Sequence, residues 1–198
     1  MDLGLKYAVG PDGTKVMSMP DETRDWVISF VRENARKSPS EIESVVQEGQ
    51  RELLAALEGV SEPQAAYKPG ADDWSILELL AHAVSVKQVI GALVGTLRNG
   101  QLPPGFGPQF EEAKTQDGFI ITRFDTLAQA REAAQAAHET IVAFVRGIDG
   151  SVNTDVTFRH FYFGAFNARE WPVFQRIHDG DHTPHIGKIK AATGYPAA

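Results

Sequence analysis

The sequence predicts an all-α protein: an up-down four-helix bundle with an N-terminal extension and two long loops. Three observations predict it. Four long segments repeat apolar residues in alternating steps of three and four, which sets one stripe of each helix against its neighbours. Two of those segments open on Ser-x-x-Glu, the reciprocal capping pattern of a helix start. No stretch alternates apolar and polar residues long enough to make a convincing strand ladder.

Residues 1–37 form the extension. Its first part is punctuated by glycine and proline, with a turn signal at Pro11-Asp12-Gly13, and is expected to be extended or loosely attached. Asp21 to Lys37 reads as one short helix with Val27, Phe30 and Val31 on one side, although Trp26 to Val31 can also be read as a strand. The bundle domain spans 38–198. Its first helix opens at Ser38-Pro39-Ser40-Glu41, with serine as cap, proline at the first helical position and glutamate at the third. The stripe then runs Ile42, Val46, Gly49, Leu53, Ala56, Val60, and Ser61-Glu62-Pro63 begins a short connector.

The second helix starts at Trp74-Ser75, where Ser75 and Glu78 form a capping box and Trp74 can staple onto Leu79. Its stripe is Leu79, His82/Ala83, Val86, Ile90, Leu93, Leu97, stopped by Asn99-Gly100. Residues 99–124, rich in proline and glycine at 102–108, form the first long loop, and a loop of that length in a compact domain tends to be functional or disordered. The third helix runs from about Asp125 to Asp149 on Leu127, Ala130, Ala134, Ala137, Ile141, Phe144 and Ile148, its alanines permitting close approach. Gly150 to Phe166 is the second, aromatic-rich loop. The fourth helix runs from about Ala168 to Ala192, with Gly180 and Pro184 expected to kink or loosen it.

A chain of 198 residues that is 42% hydrophobic suits one globular domain with a sizeable core. Net charge is −7 and no dense Lys/Arg run appears, which argues against nucleic acid as a partner. There is no cysteine, so disulfides and thiolate metal sites are excluded and any metal must be held by nitrogen and oxygen. Met1 to Pro20 has no secretory pattern, and no window of about 20 apolar residues reads as a membrane span. The expected location is cytoplasmic.

Chemistry concentrates in the last helix. His178, His182 and His185 fall at i, i+4 and i+7 and share a face with Trp171, Phe174 and Ile189. Imidazoles on an apolar stripe are costly unless their nitrogens are satisfied, and a metal is the usual answer. The i, i+4 pair His178 and His182 presents two rings to one ion. A third ligand must come from another helix, and His82 is the other core-facing histidine, although a lone histidine there would normally be a core residue bonded to a carbonyl. Three nitrogens with an open position is the catalytic arrangement of zinc. His185 reads as pocket-lining, His138 as a surface residue, and Glu78 as a cap more than a neighbour of the metal. A di-iron bundle would need Glu-x-x-His motifs, and the chain has none. Phosphate-binding and Gly-x-Ser-x-Gly loops are likewise missing.

These residues resemble the DinB-like superfamily of metal-binding four-helix bundles, including its YfiT-type members. Trp74-Ser75-Ile76-Leu77-Glu78-Leu79-Leu80-Ala81-His82 is similar to the family segment that ends in its first metal histidine. Arg159-His160-Phe161-Tyr162-Phe163-Gly164 resembles the His-Pro-x-Phe-Gly stretch, with Phe161 in place of proline. Glu170-Trp171 opens the last helix as in the family, and His178 to Ile186 resembles the closing His-x-x-x-His-x-x-Gln-Ile, with His185 where glutamine is common. The likeness covers roughly residues 38–192. It implies a metal triad of His82, His178 and His182 holding one divalent ion, zinc or nickel, and often a homodimer.

The resemblance further implies a metal-dependent hydrolase, or a transferase joining a low-molecular-weight thiol to a small-molecule substrate. Three neutral imidazoles would leave the ion's full charge to act on a bound water, a substrate oxygen or a thiol. His160 and His185 are the candidates for moving protons. Phe158, Tyr162, Phe163 and the 102–110 loop are expected to wall the pocket. The competing expectation is a non-catalytic bundle that only binds a metal or ligand.

Overall fold

All four long helices form, and their capping residues set their starts. The computed structural model describes residues 3–4, 6–9, 15–103, 120–160 and 162–197. The turn signal at Pro11-Asp12-Gly13 and the body of the first long loop, 104–119, lie outside them. The chain begins with an antiparallel pair, β1 (Lys6–Val9) and β2 (Lys15–Ser18), in the register Lys6 opposite Ser18. The helix α1 (Asp21–Ala35) follows and buries Val27 and Val31, so the helical reading of this stretch is the correct one.

The bundle begins with α2 (Pro39–Ala55). Ser38 Oγ accepts from the Glu41 amide at 3.4 Å and the Glu41 carboxylate accepts from the Ser38 amide at 3.0 Å. This closes the predicted box and satisfies two of the amides that a helix start leaves without partners. The connector contains a short helix, α3 (Glu62–Ala66). Next, α4 (Ile76–Leu97) is capped reciprocally by Ser75 and Glu78, at 3.1 and 2.9 Å. In α5 (Leu127–Arg146), Thr126 caps the start, and every residue of the predicted stripe from Leu127 to Ile148 is buried.

Two short hairpins accompany the helices as minor elements of the fold. The second loop folds into an antiparallel hairpin of β3 (Thr157–His160) and β4 (Gly164–Asn167). Phe158 and Phe166 stand opposite each other and both enter the core, while Gly164 makes the turn with a positive φ of 88°. Four-residue strands with a single buried side chain each are too short for alternation to declare them. The last helix is α6 (Glu170–Lys190), helical straight through Gly180 and Pro184. Its start is held by Asn167, whose Oδ1 accepts from the Arg169 and Glu170 amides while Glu170 returns a bond to the Asn167 amide.

Core membership gives the helix directions. Ile42 and Val46 cluster with Phe174 and Ile177, and Leu53 with Ile186 and Ile189, so α2 and α6 run the same way. Leu79 clusters with Leu127, and Ile90 with Ile141, so α4 and α5 run together in the other direction. The order is up, down, down, up, so the bundle is four-helical as expected but the simple alternation of direction is not kept between α4 and α5. By length and composition alone α4 is long and apolar enough to cross a membrane. It carries the buried Lys87, and over half of the window is covered by its neighbours, as in the central helix of a bundle.

Candidate metal centre

Two elements supply three histidines. The Ser75 box fixes where α4 begins and so where His82 falls, beyond its first turn. His178 and His182 lie one turn apart at the middle of α6. Across the two helices, His82 Nε2 lies 3.1 Å from His178 Nε2, and His182 Nε2 lies 3.4 Å from the same atom. One nitrogen from each ring falls within 4.8 Å of the others. Tetrahedral zinc at about 2.0–2.1 Å from each imidazole would separate its nitrogens by about 3.3 Å, so the spacing fits the ion.

Electrostatics agree with the donor geometry. Burial pushes His178 and His182 well below the ordinary histidine value, and neighbouring imidazoles and Lys87 push in the same direction. Both rings are therefore neutral at neutral pH and keep a lone pair for a ligand bond. One feature departs from the usual metal-histidine pattern. The second nitrogen of such a ring normally donates to a carboxylate or carbonyl, whereas His178 Nδ1 is buried with no hydrogen-bond partner among the described residues.

The other predicted site residues lie around this cluster. His185 is half-buried on α6 beyond His182, and its ring stacks at 14° on Trp74 with centroids 6.4 Å apart. Trp74 in turn leans on His82 at 5.0 Å. Burial lowers the His185 pKa, then Lys188, with Asp73 opposing. His160 ends β3, its ring 4.9 Å from that of Phe174, which lies 6.4 Å from that of His178. His160 Nδ1 accepts from the backbone amides of Tyr162 and Phe163, at 3.1 and 3.3 Å. Burial alone brings its pKa down to about 3. Tyr162 is half-buried, with its hydroxyl against the Met19 backbone, and Phe163 packs on His160 and Phe174. Phe158 is only 1% exposed and packs with Trp171 as a core side chain.

The sequence profile of the DinB superfamily matches residues 46–186. The chain belongs to the DinB superfamily. A search of the curated proteins gives no match. Among solved structures, the chain is similar to one described as TT2238, a four-helix bundle protein, with a TM-score of 0.55 at 16% identity. That likeness covers 76% of this chain and 99% of the other, and shows a shared fold.

This DinB bundle also holds a polar group that the sequence reading missed. Lys87 on α4 and Asp179 on α6 form an ion pair with both side chains 0% exposed. Lys87 Nζ donates to Asp179 Oδ1, and Gln175 Nε2 donates to the same oxygen at 2.9 Å. The available signal was register, since Lys87 lies four residues after Ala83 and three before Ile90. The expected stripe has Val86 at that step, and Val86 is only half-buried. His138 is a plain correction. Read as a surface residue, it is 3% exposed, and its Nδ1 has no partner among the described residues. The alanines of α5 leave room for a wider inward face that takes in the position beside Ala137. Burial and then Lys87 lower the His138 pKa, with Asp179 opposing.

Proposed function

We propose that this DinB-superfamily protein holds one divalent ion, zinc or nickel, on His82, His178 and His182, and acts as a metal-dependent hydrolase or thiol-dependent transferase on a small molecule. The observation that carries the reading is the meeting of three imidazole nitrogens from two helices. When bound, such an ion supplies Lewis acidity that polarises a substrate oxygen or thiol, or acidifies water.

The remaining work falls to this chain's side chains. Trp74 holds the His185 ring by stacking, and His185 is the group that takes and returns a proton at a ring nitrogen. With Nδ1 occupied by two amides, neutral His160 carries its proton on Nε2, and its role is to hold the turn that presents Tyr162 and Phe163 as the pocket wall. Three neutral ligands add no negative charge, which favours an anionic co-substrate such as a low-molecular-weight thiolate.

Metal content by inductively coupled plasma mass spectrometry, on tag-free protein purified without chelator, tests the site. About one zinc or nickel per chain is expected, matching a single three-ligand site, with loss in His82→Ala. A folded His178→Ala/His182→Ala protein with full metal content would show the triad to be wrong. Tyr162→Ala should keep the metal and reduce turnover in an ester, amide and thiol-transfer panel. Protein that takes up no metal on titration would make the three rings a polar core network that shares protons across the same short contacts.

A further inference from the structure

The structure assigns Lys87 and Asp179 a positioning role: their buried ion pair sets the register of α4 against α6, and so the spacing of the three histidine nitrogens. The inference rests on the metal reading of that site.

Stability does not explain the pair. Taking two charges out of water costs several kcal/mol per ion, and apolar residues of similar volume often stabilise a core as well or better. What an ion pair offers and an apolar contact lacks is direction. Leu, Ile and Ala surfaces tolerate sliding, whereas an ammonium on one carboxylate oxygen does not. Fixing register is the best-attested use of buried polar pairs.

Placement makes register matter here. His82 sits on one helix and both of its partners on the other, so axial slip between α4 and α6 moves one ligand away from two. Lys87 lies five residues after His82, about 7.5 Å along the axis, and Asp179 directly follows His178. Ala83, next to His82, and Gly180, next to Asp179, are small and buried. Gln175, one turn before Asp179, donates to the same oxygen and holds the carboxylate in its rotamer.

Cobalt(II) binding by the whole chain tests this, because its visible spectrum reports ligand geometry without turnover. The informative variant is Lys87→Met with Asp179→Asn. It removes both charges together, leaves the net charge near the site unchanged and keeps an oxygen for Gln175. The folded protein should bind cobalt 10–100-fold more weakly, the range typical for loss of groups that orient metal ligands, with a changed visible band. Lys87→Gln with Asp179→Asn restores a directed bond across the helices without charge and should recover much of the affinity. A pair that serves only stability would lower the melting temperature and leave cobalt affinity and spectrum as in wild type. That result, or a Gln/Asn variant no better than the Met/Asn variant, overturns the inference. Wild-type protein that takes up no cobalt overturns the metal reading and this inference with it.

Discussion

At His160 two backbone amides point at Nδ1, and the ring is packed against Phe163, Trp171 and Phe174. Protonation at Nδ1 would set a donor against two donors, and burial leaves little water to compensate. In the unfolded chain the ring titrates near 6.5, and in the folded chain at about 3. The folded-state value is depressed, so this histidine costs nothing above 6.5. Below it the unfolded state takes up a proton that the folded state refuses. Stability of the chelator-treated protein should then fall by about 1.4 kcal/mol per pH unit from this group, from 6.5 downward. His160→Asn keeps an acceptor for the turn and removes the titration. Urea unfolding at pH 7, 6 and 5 should show a shallower decline in the variant, and equal slopes would refute the assignment. At this scale the sequence was partly legible. The pair His178 and His182 could be found because i, i+4 spacing on an apolar stripe is a local pattern, whereas His82 had to be sought on another helix. The double acceptor role of His160 could not, because it depends on a turn that brings residues 162 and 163 back onto the ring.

Contact between elements is decided by small residues, and Gly49 on α2 is the clearest case. A Cβ there would meet Arg176 Cα at 3.2 Å and the Arg176 carbonyl oxygen at 3.3 Å, both backbone atoms of α6. Alanine should gain about 1 kcal/mol in helix propensity. Overpacking against a backbone that cannot rotate away costs about 1–3 kcal/mol, so Gly49→Ala should be neutral to destabilising. Gly95 on α4 is the control, because nothing lies within 4 Å of an added Cβ. Gly95→Ala should stabilise by about 1 kcal/mol. Equal gains for the two in thermal unfolding would remove the close-approach argument. Caps and stripes were legible because each is written within a few residues: Ser38 with Glu41, Ser75 with Glu78, and the alanine steps of α5. The hairpin from Thr157 to Asn167 and the buried Lys87 were not. Their justification lies across the fold, in the pairing of Phe158 with Phe166 and of Lys87 with Asp179.

For the molecule as a whole, the segment before the bundle packs on it beside the histidine-bearing helix. Leu3 and Met19 are 4% and 8% exposed and belong to the same apolar cluster as Val27, Phe174 and Ile177. Two sets of hydrogen bonds tie the segment to the rim of the histidine cluster. The Leu3 amide donates to Asp181 Oδ1 at 3.3 Å, next to His182. The Met19 amide donates to the Tyr162 hydroxyl at 3.1 Å, and that hydroxyl donates to the Met19 carbonyl at 3.3 Å. Burial of one leucine and one methionine is worth at most about 3–6 kcal/mol, an upper value because unfolded chains already bury part of that surface. A protein of this size loses roughly 2–4 °C of melting temperature per kcal/mol. Removing residues 1–20 should therefore lower the melting temperature by at most roughly 6–24 °C. Any metal content should be unchanged, since all three histidines of the cluster remain in place. Tyr162→Phe removes the bonds to Met19 without opening a cavity and should give a smaller loss, about 1 kcal/mol. A truncated protein that melts with the full chain would mean that the segment lies on the bundle without supporting it. Loss of metal on truncation would mean instead that the ties at Asp181 and Tyr162 hold the histidine-bearing part of α6 in place.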